Sequence, residues 1–157
     1  MRFVLYLFCL AAVVISVTGC RSGDGGDVLP ETDSPPAIDP RSIELGEDLY
    51  ALHCADCHGV ALEGEADWKL QNADGSFRAP PHDASGHTWH HSDAQLIDAI
   101  RLGGSRLPED IGGISHMPGY HSTLTEREIV AVLDYIKSKW PEEQRQYQWD
   151  ITRQTRP

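Results

Sequence analysis

The sequence has few of the residues on which several common functions depend. Its 157 residues include four cysteines, two methionines and only 13 Lys and Arg against 24 Asp and Glu, a formal net charge of −11. Because nucleic-acid-binding proteins neutralise phosphates with clustered Lys and Arg, the absence of such a cluster excludes nucleic-acid binding. Strand-like alternation and internal repeats are also missing. No nucleophile with an adjacent base and no isolated carboxylate pair stands out, which argues against an enzyme.

The one long apolar run extends from Phe3 to Val17, directly after Arg2. It is shorter than the roughly 20 residues that span a membrane, and a basic residue followed by such a run is typical of a secretory signal. The run ends in Val17-Thr18-Gly19-Cys20, which resembles the lipobox of bacterial lipoproteins. We therefore expect residues 1–19 to be a lipoprotein signal peptide and Cys20 to carry the lipid. The alternative is an ordinary signal in which Cys20 is incidental.

Residues 21–40 are dominated by Gly, Pro, Ser and Asp, a composition typical of flexible linkers. About 20 such residues span roughly 25 Å. Because several acyl chains together anchor a protein stably, residues 20–40 are predicted to be a lipidated tether. The protein is then exported and anchored to a bacterial membrane, facing the periplasm or the cell exterior.

Residues 41–141 are predicted to form one all-α domain. Three helices have capping or stop signals in the sequence. These signals are Asp39 with Pro40, Ser92 with Gln95 and Gly103, and Thr125 with Glu128 and Pro141. The loop from Gly59 to His91 is long for so small a domain, and such a loop needs something to organise it. A large apolar cofactor at the centre would do so.

The segment Cys54-Ala55-Asp56-Cys57-His58 has the CxxCH spacing of covalent haem attachment. Its two thiols add to the two vinyl groups of haem as thioethers, and the adjacent His binds the iron. A thiol–disulfide pair would need a βαβ context, and a zinc site would need a second pair of ligands. The sequence therefore predicts one haem c, attached at Cys54 and Cys57, with His58 as an axial ligand.

With this motif the chain resembles the class I mono-haem c-type cytochromes over most of residues 41–141. The matching features are Gly46, Tyr50, the CxxCH motif, Met117-Pro118, Val132 and Tyr135. The resemblance implies a small cytochrome c fold of three to four helices with long loops wrapped around one haem. The resemblance also implies that the first and last helices of the domain cross at close range beside Gly46. Residues 142–157 are left as a C-terminal tail, either a docking element or a strap across the domain's own surface.

Met117 is the candidate for the second axial ligand. Met1 leaves with the signal, so Met117 is the only Met of the mature chain, and Met opposite His is a known axial pair. Histidines beyond the motif remain alternatives, above all His116. Four of these histidines could also suggest a copper site: His90, His91, His116 and His121. Their spacing, however, fits no metal-ligand pattern.

Two further site residues rest on the resemblance. The carbonyl of Pro80, with Pro81 as the alternative, is expected to accept a hydrogen bond from the His58 ring and so orient it. Trp89 is expected either to donate its indole N–H to a haem propionate or only to pack.

An iron with two protein ligands has no open position for a substrate, which favours electron transfer over catalysis. We expect a carrier that transfers electrons one at a time between redox proteins at the membrane surface, its partners being membrane-bound complexes. The net charge of −11 would steer it toward a basic partner. The alternatives are a haem-based ligand sensor or peroxidase-like enzyme, and an electron-entry subunit of a membrane dehydrogenase or oxidase complex.

Overall fold

The computed structural model describes residues 33–155. This part of the chain contains two 3₁₀ turns, Thr88–His90 and Gly103–Arg106, and no strand. Its five α-helices are α1 Pro40–His53, α2 Ala55–His58, α3 Asp93–Leu102, α4 Glu126–Ser138 and α5 Glu142–Gln154. The prediction of an all-α fold with long loops is confirmed. The predicted signal peptide, Cys20 and most of the linker lie outside the described residues. No helix between residues 33 and 155 is long and apolar enough to cross a membrane.

The three predicted helices begin at their predicted caps. Asp39 accepts a hydrogen bond from the Arg41 backbone N–H at 3.0 Å, with Pro40 as the first residue of α1. Capping boxes begin α3, at Ser92, and α4, at Thr125. Each cap satisfies a backbone N–H that has no partner within its helix, so these helix starts follow from local sequence.

Helices α1 and α4 cross at Gly46, as the resemblance implied. Gly46 is buried, and a Cβ placed on it would lie 1.9 Å from the carbonyl oxygen of Ala131. Next to this contact the ring of Tyr50 packs against that of Tyr135, with centroids 5.3 Å apart. The Tyr50 hydroxyl donates to the carbonyl of Gly59 at 3.1 Å. The crossing therefore connects the helix pair to the CxxCH segment.

The core lies between α4 and α3. Ile129, Val132 and Ile136 of α4 are at most 4% exposed, and they share one cluster with Leu96 and Ile100 of α3. Since burying such a side chain contributes about 1.5–3 kcal/mol relative to exposing it, this cluster is the main apolar contribution to stability in the described chain.

The structure adds two helices to the three that were predicted from capping signals. The first is the four-residue α2, and the second is α5, which occupies the predicted tail. Gln148 of α5 is 0% exposed, and its Nε2 donates to Asp93 Oδ1 at 2.7 Å and to the His91 carbonyl at 3.2 Å. The tail therefore lies on the domain as a strap, the second of its two interpretations.

The end of the predicted linker also contacts α5. Gln146 Nε2 donates to the carbonyl of Asp33 at 2.7 Å, and an Arg153 guanidinium nitrogen lies 3.4 Å from the Asp33 carboxylate. Residues from 33 onward thus belong to the same unit as the helices.

Gly46→Ala is expected to destabilise the protein by about 2 kcal/mol, although Ala is the better helix former, because the new Cβ forces α1 and α4 apart. Denaturant unfolding of the haem-loaded protein measures this change. Asp48→Ala, an exposed position of the same helix, is the control and should change stability by less than about 0.5 kcal/mol. A Gly46→Ala protein as stable as wild type would contradict the close crossing.

Candidate functional site

A cavity of about 910 Å³ lies in the domain, bordered by the CxxCH segment, the loop before α3, helices α3 and α4, and the Met117 loop. Its volume is in the upper part of the roughly 300–1,000 Å³ range of cofactor and ligand sites. Five of the predicted site residues line it: Cys54, Cys57, His58, Pro80 and Met117. Residues that are far apart in sequence are therefore brought to one cavity.

Cys54 lies between α1 and α2, and Cys57 lies one residue before the end of α2. Both thiols are free. Burial, with a smaller contribution from Cys57, raises the pKa of the Cys54 thiol to about 11, so this group is uncharged at neutral pH. A redox-active cysteine needs a thiolate and hence a lowered pKa. The environment of Cys54 therefore gives no support to a thiol–disulfide role.

His58 is buried, and its Nδ1 lies 2.8 Å from the carbonyl oxygen of Pro80. Because a carbonyl only accepts hydrogen bonds, Nδ1 carries the hydrogen and Nε2 keeps its lone pair for a metal. Burial lowers the pKa of His58, opposed in part by the Pro80 hydrogen bond, so the ring is neutral at pH 7. The Pro81 carbonyl instead accepts from the Thr88 hydroxyl at 3.3 Å. Pro80 is thus the proline that contacts the His58 ring.

The Met117 loop is fixed by the 3₁₀ turn that follows α3. The Gly104 N–H donates to the Met117 carbonyl at 2.8 Å. Gly103 has a φ of +59°, and a Cβ there would lie 2.4 Å from the same carbonyl oxygen. The Tyr120 hydroxyl donates to the carbonyl of His53 at 2.5 Å, which attaches the loop to the end of α1. The loop that carries the Met117 thioether is therefore bonded both to the 3₁₀ turn after α3 and to the end of α1.

Of the histidines that compete with Met117, His91 and His116 also line the cavity. His116 is 67% exposed and its Nε2 lies 3.5 Å from an Asp74 carboxylate oxygen. His90 and His121 are absent from the cavity lining. Within residues 33–155 no group of three or more His, Cys, Asp or Glu side chains could hold a metal ion. The four histidines considered for copper do not form a site.

Trp89, for which the sequence left a propionate contact or packing open, lies outside the cavity lining. Trp89 Nε1 donates to the carbonyl of Gly86 at 3.1 Å, its ring packs against His90 at 3.8 Å, and it does not line the cavity. Packing, the alternative role, is the one that the contacts support. The indole N–H thus has a backbone acceptor within its own turn.

Sequence reasoning missed three other side chains that line the cavity and could meet acidic groups: Trp68, Arg78 and Arg106. Arg78 is held by donating to the Ala66 carbonyl at 2.8 Å and to Asn72 Oδ1 at 3.1 Å. The only signal for these residues was their basic or aromatic character within the loops. No fixed distance from the CxxCH motif identifies them.

The family model for cytochrome c matches residues 43–140. A crystal structure of cytochrome cL from the marine methylotrophic bacterium Methylophaga aminisulfidivorans aligns with a TM-score of 0.43 and 21% identity, over 76% of this chain and 71% of that one. No curated protein sequence matches.

The family model covers more than half of the chain and includes the CxxCH segment. It confirms the prediction of a c-type cytochrome that binds haem c covalently. The chain therefore belongs to the cytochrome c family, whose members generally carry electrons.

Proposed function

We propose that this haem electron carrier transfers electrons one at a time between redox proteins at a membrane surface, to which a lipid on Cys20 anchors it. The observation that carries the proposal is the convergence of Cys54, Cys57, His58 and Met117 on one cavity. Two thiols for attachment and two axial ligands form a complete set for haem c, and they leave no iron position for a substrate.

The residues present fit the cofactor. The cavity is of about 910 Å³, and it offers a neutral imidazole with a free Nε2, a thioether and two free thiols. When bound, haem supplies an iron that changes between the ferrous and ferric states by one electron. The chain's part is to attach the group at the two cysteines, to orient His58 through Pro80, and to exclude other ligands.

Met117 is proposed as the second axial ligand. A thioether is a soft ligand that favours ferrous iron, so a His/Met pair raises the reduction potential relative to two histidines. The hydrogen bonds of Gly104 and Tyr120 hold the Met117 loop in place. Because the loop is fixed before any electron is transferred, little rearrangement is needed when the iron changes its charge.

Arg78 and Arg106 are proposed to pair with the haem propionates, since both line the cavity. Two anionic carboxylates placed against a partly apolar cavity need charged or hydrogen-bonding partners. An Arg guanidinium matches the geometry of a carboxylate. For Trp89, which does not line the cavity, we propose the packing role.

The membrane-surface location is proposed from the N-terminal sequence. Cytochrome c domains are typically exported, and Cys20 follows an apolar run with small residues before it. The net charge of −11 favours encounter with basic partners, an effect that weakens with salt. Membrane-bound redox complexes are the partners that a tethered carrier can reach, and an electron-entry subunit would use the same site while docked permanently.

Cys54→Ser or Cys57→Ser should reduce covalent haem strongly, and the double substitution should abolish it, because each thioether needs its own thiol. Haem that remains on the protein after acid–acetone extraction measures attachment. Asp56→Ser, an exposed position between the two cysteines, should keep its haem. A double variant that retained haem through the extraction would refute attachment at these residues.

Met117→Ala should remove the weak far-red charge-transfer band of ferric iron bound to a thioether and lower the potential by about 0.1 V or more, since axial ligands span about 0.8 V. The ferrous variant should also bind carbon monoxide. Spectra and a redox titration measure these changes, with His116→Ala as the neighbouring control that keeps the band. Wild-type protein without the band, binding carbon monoxide rapidly, would instead indicate a ligand sensor or peroxidase-like enzyme.

Cys20→Ser should prevent lipid attachment, because only the thiol of this residue can accept the acyl-bearing group. Metabolic labelling of the Cys20→Ser protein with a fatty acid should then fail. If residues 1–19 of this variant are also replaced by a signal that is cleaved without lipidation, the protein should become soluble. Cys9→Ser is the control and should still be labelled and sediment with membranes. Labelling of the Cys20→Ser protein would place the anchor elsewhere.

A further inference from the structure

His82 lies face to face with the proposed proximal ligand. Its imidazole stacks on that of His58, with ring centroids 4.1 Å apart and the planes at 25°. Both rings line the same cavity. Neither the attachment of haem nor its axial ligation requires a second histidine on this side.

The His82 ring is itself held in place. Its Nδ1 lies 2.9 Å from the hydroxyl oxygen of Thr88, a residue that is 6% exposed. The Thr88 hydroxyl donates to the Pro81 carbonyl at 3.3 Å, so its oxygen accepts from the His82 Nδ1–H. Thr88 therefore fixes the ring plane of His82, and the Pro81 carbonyl holds the Thr88 hydroxyl in place.

The backbone of His82 is anchored as well. Its N–H donates to the Leu62 carbonyl at 2.8 Å, and its carbonyl accepts from Trp140 Nε1, also at 2.8 Å. Trp140 is 4% exposed and belongs to the core cluster. His82 is thus attached to the core as well as to its own loop.

A metal-binding histidine needs more than one restraint to fix its ring. The imidazole of His58 is attached through its Cβ, and the bond from Nδ1 to the Pro80 carbonyl restrains its rotation. One hydrogen bond tolerates a range of angles, which is the freedom that remains. A flat surface against its face removes this remaining freedom. His82 provides such a surface, since its ring is stacked on that of His58.

We propose that His82 is a positioning residue that fixes the plane of the His58 imidazole, and with it the direction in which Nε2 meets the haem iron. The inference rests on the proposed ligation by His58. It assigns to the loop before α3 a direct part in setting the electronic structure of the haem.

The test uses the haem-loaded protein and compares His82→Ala with His82→Phe. The readouts are the spread of the four haem methyl resonances in ferric protein, which depends on the orientation of the axial ligand plane, and the reduction potential. His82→Ala should contract the spread, because a turning ring averages its orientation, and should shift the potential. His82→Phe keeps a flat ring but loses the bond to Thr88, and it should restore both only in part. Wild-type values in a folded His82→Ala protein would overturn the proposal.

A second pair of variants decides the matter if His82→Ala gives no holoprotein. Thr88→Val removes the acceptor for His82 Nδ1 with little change of shape, and Thr88→Ser retains it. Thr88→Val should contract the methyl spread, and Thr88→Ser should not; equal spectra for the two would refute the positioning role. A wild-type spectrum without a low-spin, methionine-bound iron would instead refute the proposed Met117 ligation, and it is recorded before any variant is made.

Discussion

The close contact of Gly46 with the backbone of Ala131 is the constraint on which the rest of the site depends. Helix α1 ends at His53, one residue before the first cysteine of the CxxCH motif, so the position of α1 determines where both thiols and His58 lie. Helix α4 contributes Val132, Leu133 and Ile136 to the wall of the cavity. If the two helices separated, the attachment motif would move away from this apolar wall.

Local chemistry explains which features were predictable. The capping residues Asp39, Ser92 and Thr125 accept hydrogen bonds from N–H groups two or three residues away. The spacing of the two cysteines in CxxCH matches the separation of the two haem vinyl groups. Helix α5 was missed because its composition is strongly polar and gives a weak apolar stripe. Pro141 followed by Glu142 and Glu143 was the available signal, since prolines and acidic residues favour helix starts.

Long-range contacts explain what the sequence did not reveal. Trp68 and Trp89 both lie in the region before α3, and nothing in their immediate sequence indicates which one faces the cavity. The fold decides, because Trp89 bonds to Gly86 within its own turn while Trp68 lines the cavity. The same holds for the cavity-lining arginines Arg78 and Arg106, whose role depends on where two separate loops meet.

The strap formed by α5 is continuous with the residues that support His58, the proposed proximal ligand. Gln148 bonds to the carbonyl of His91 and to Asp93, so α5 holds the segment in which Thr88 also lies. Thr88 in turn bonds to His82, and His82 stacks on His58. A polar helix that adds little to the apolar core therefore stabilises the segment behind His58, the proposed iron ligand. Rigidity at that ligand suits a carrier, because an iron whose surroundings stay fixed needs less reorganisation for each electron.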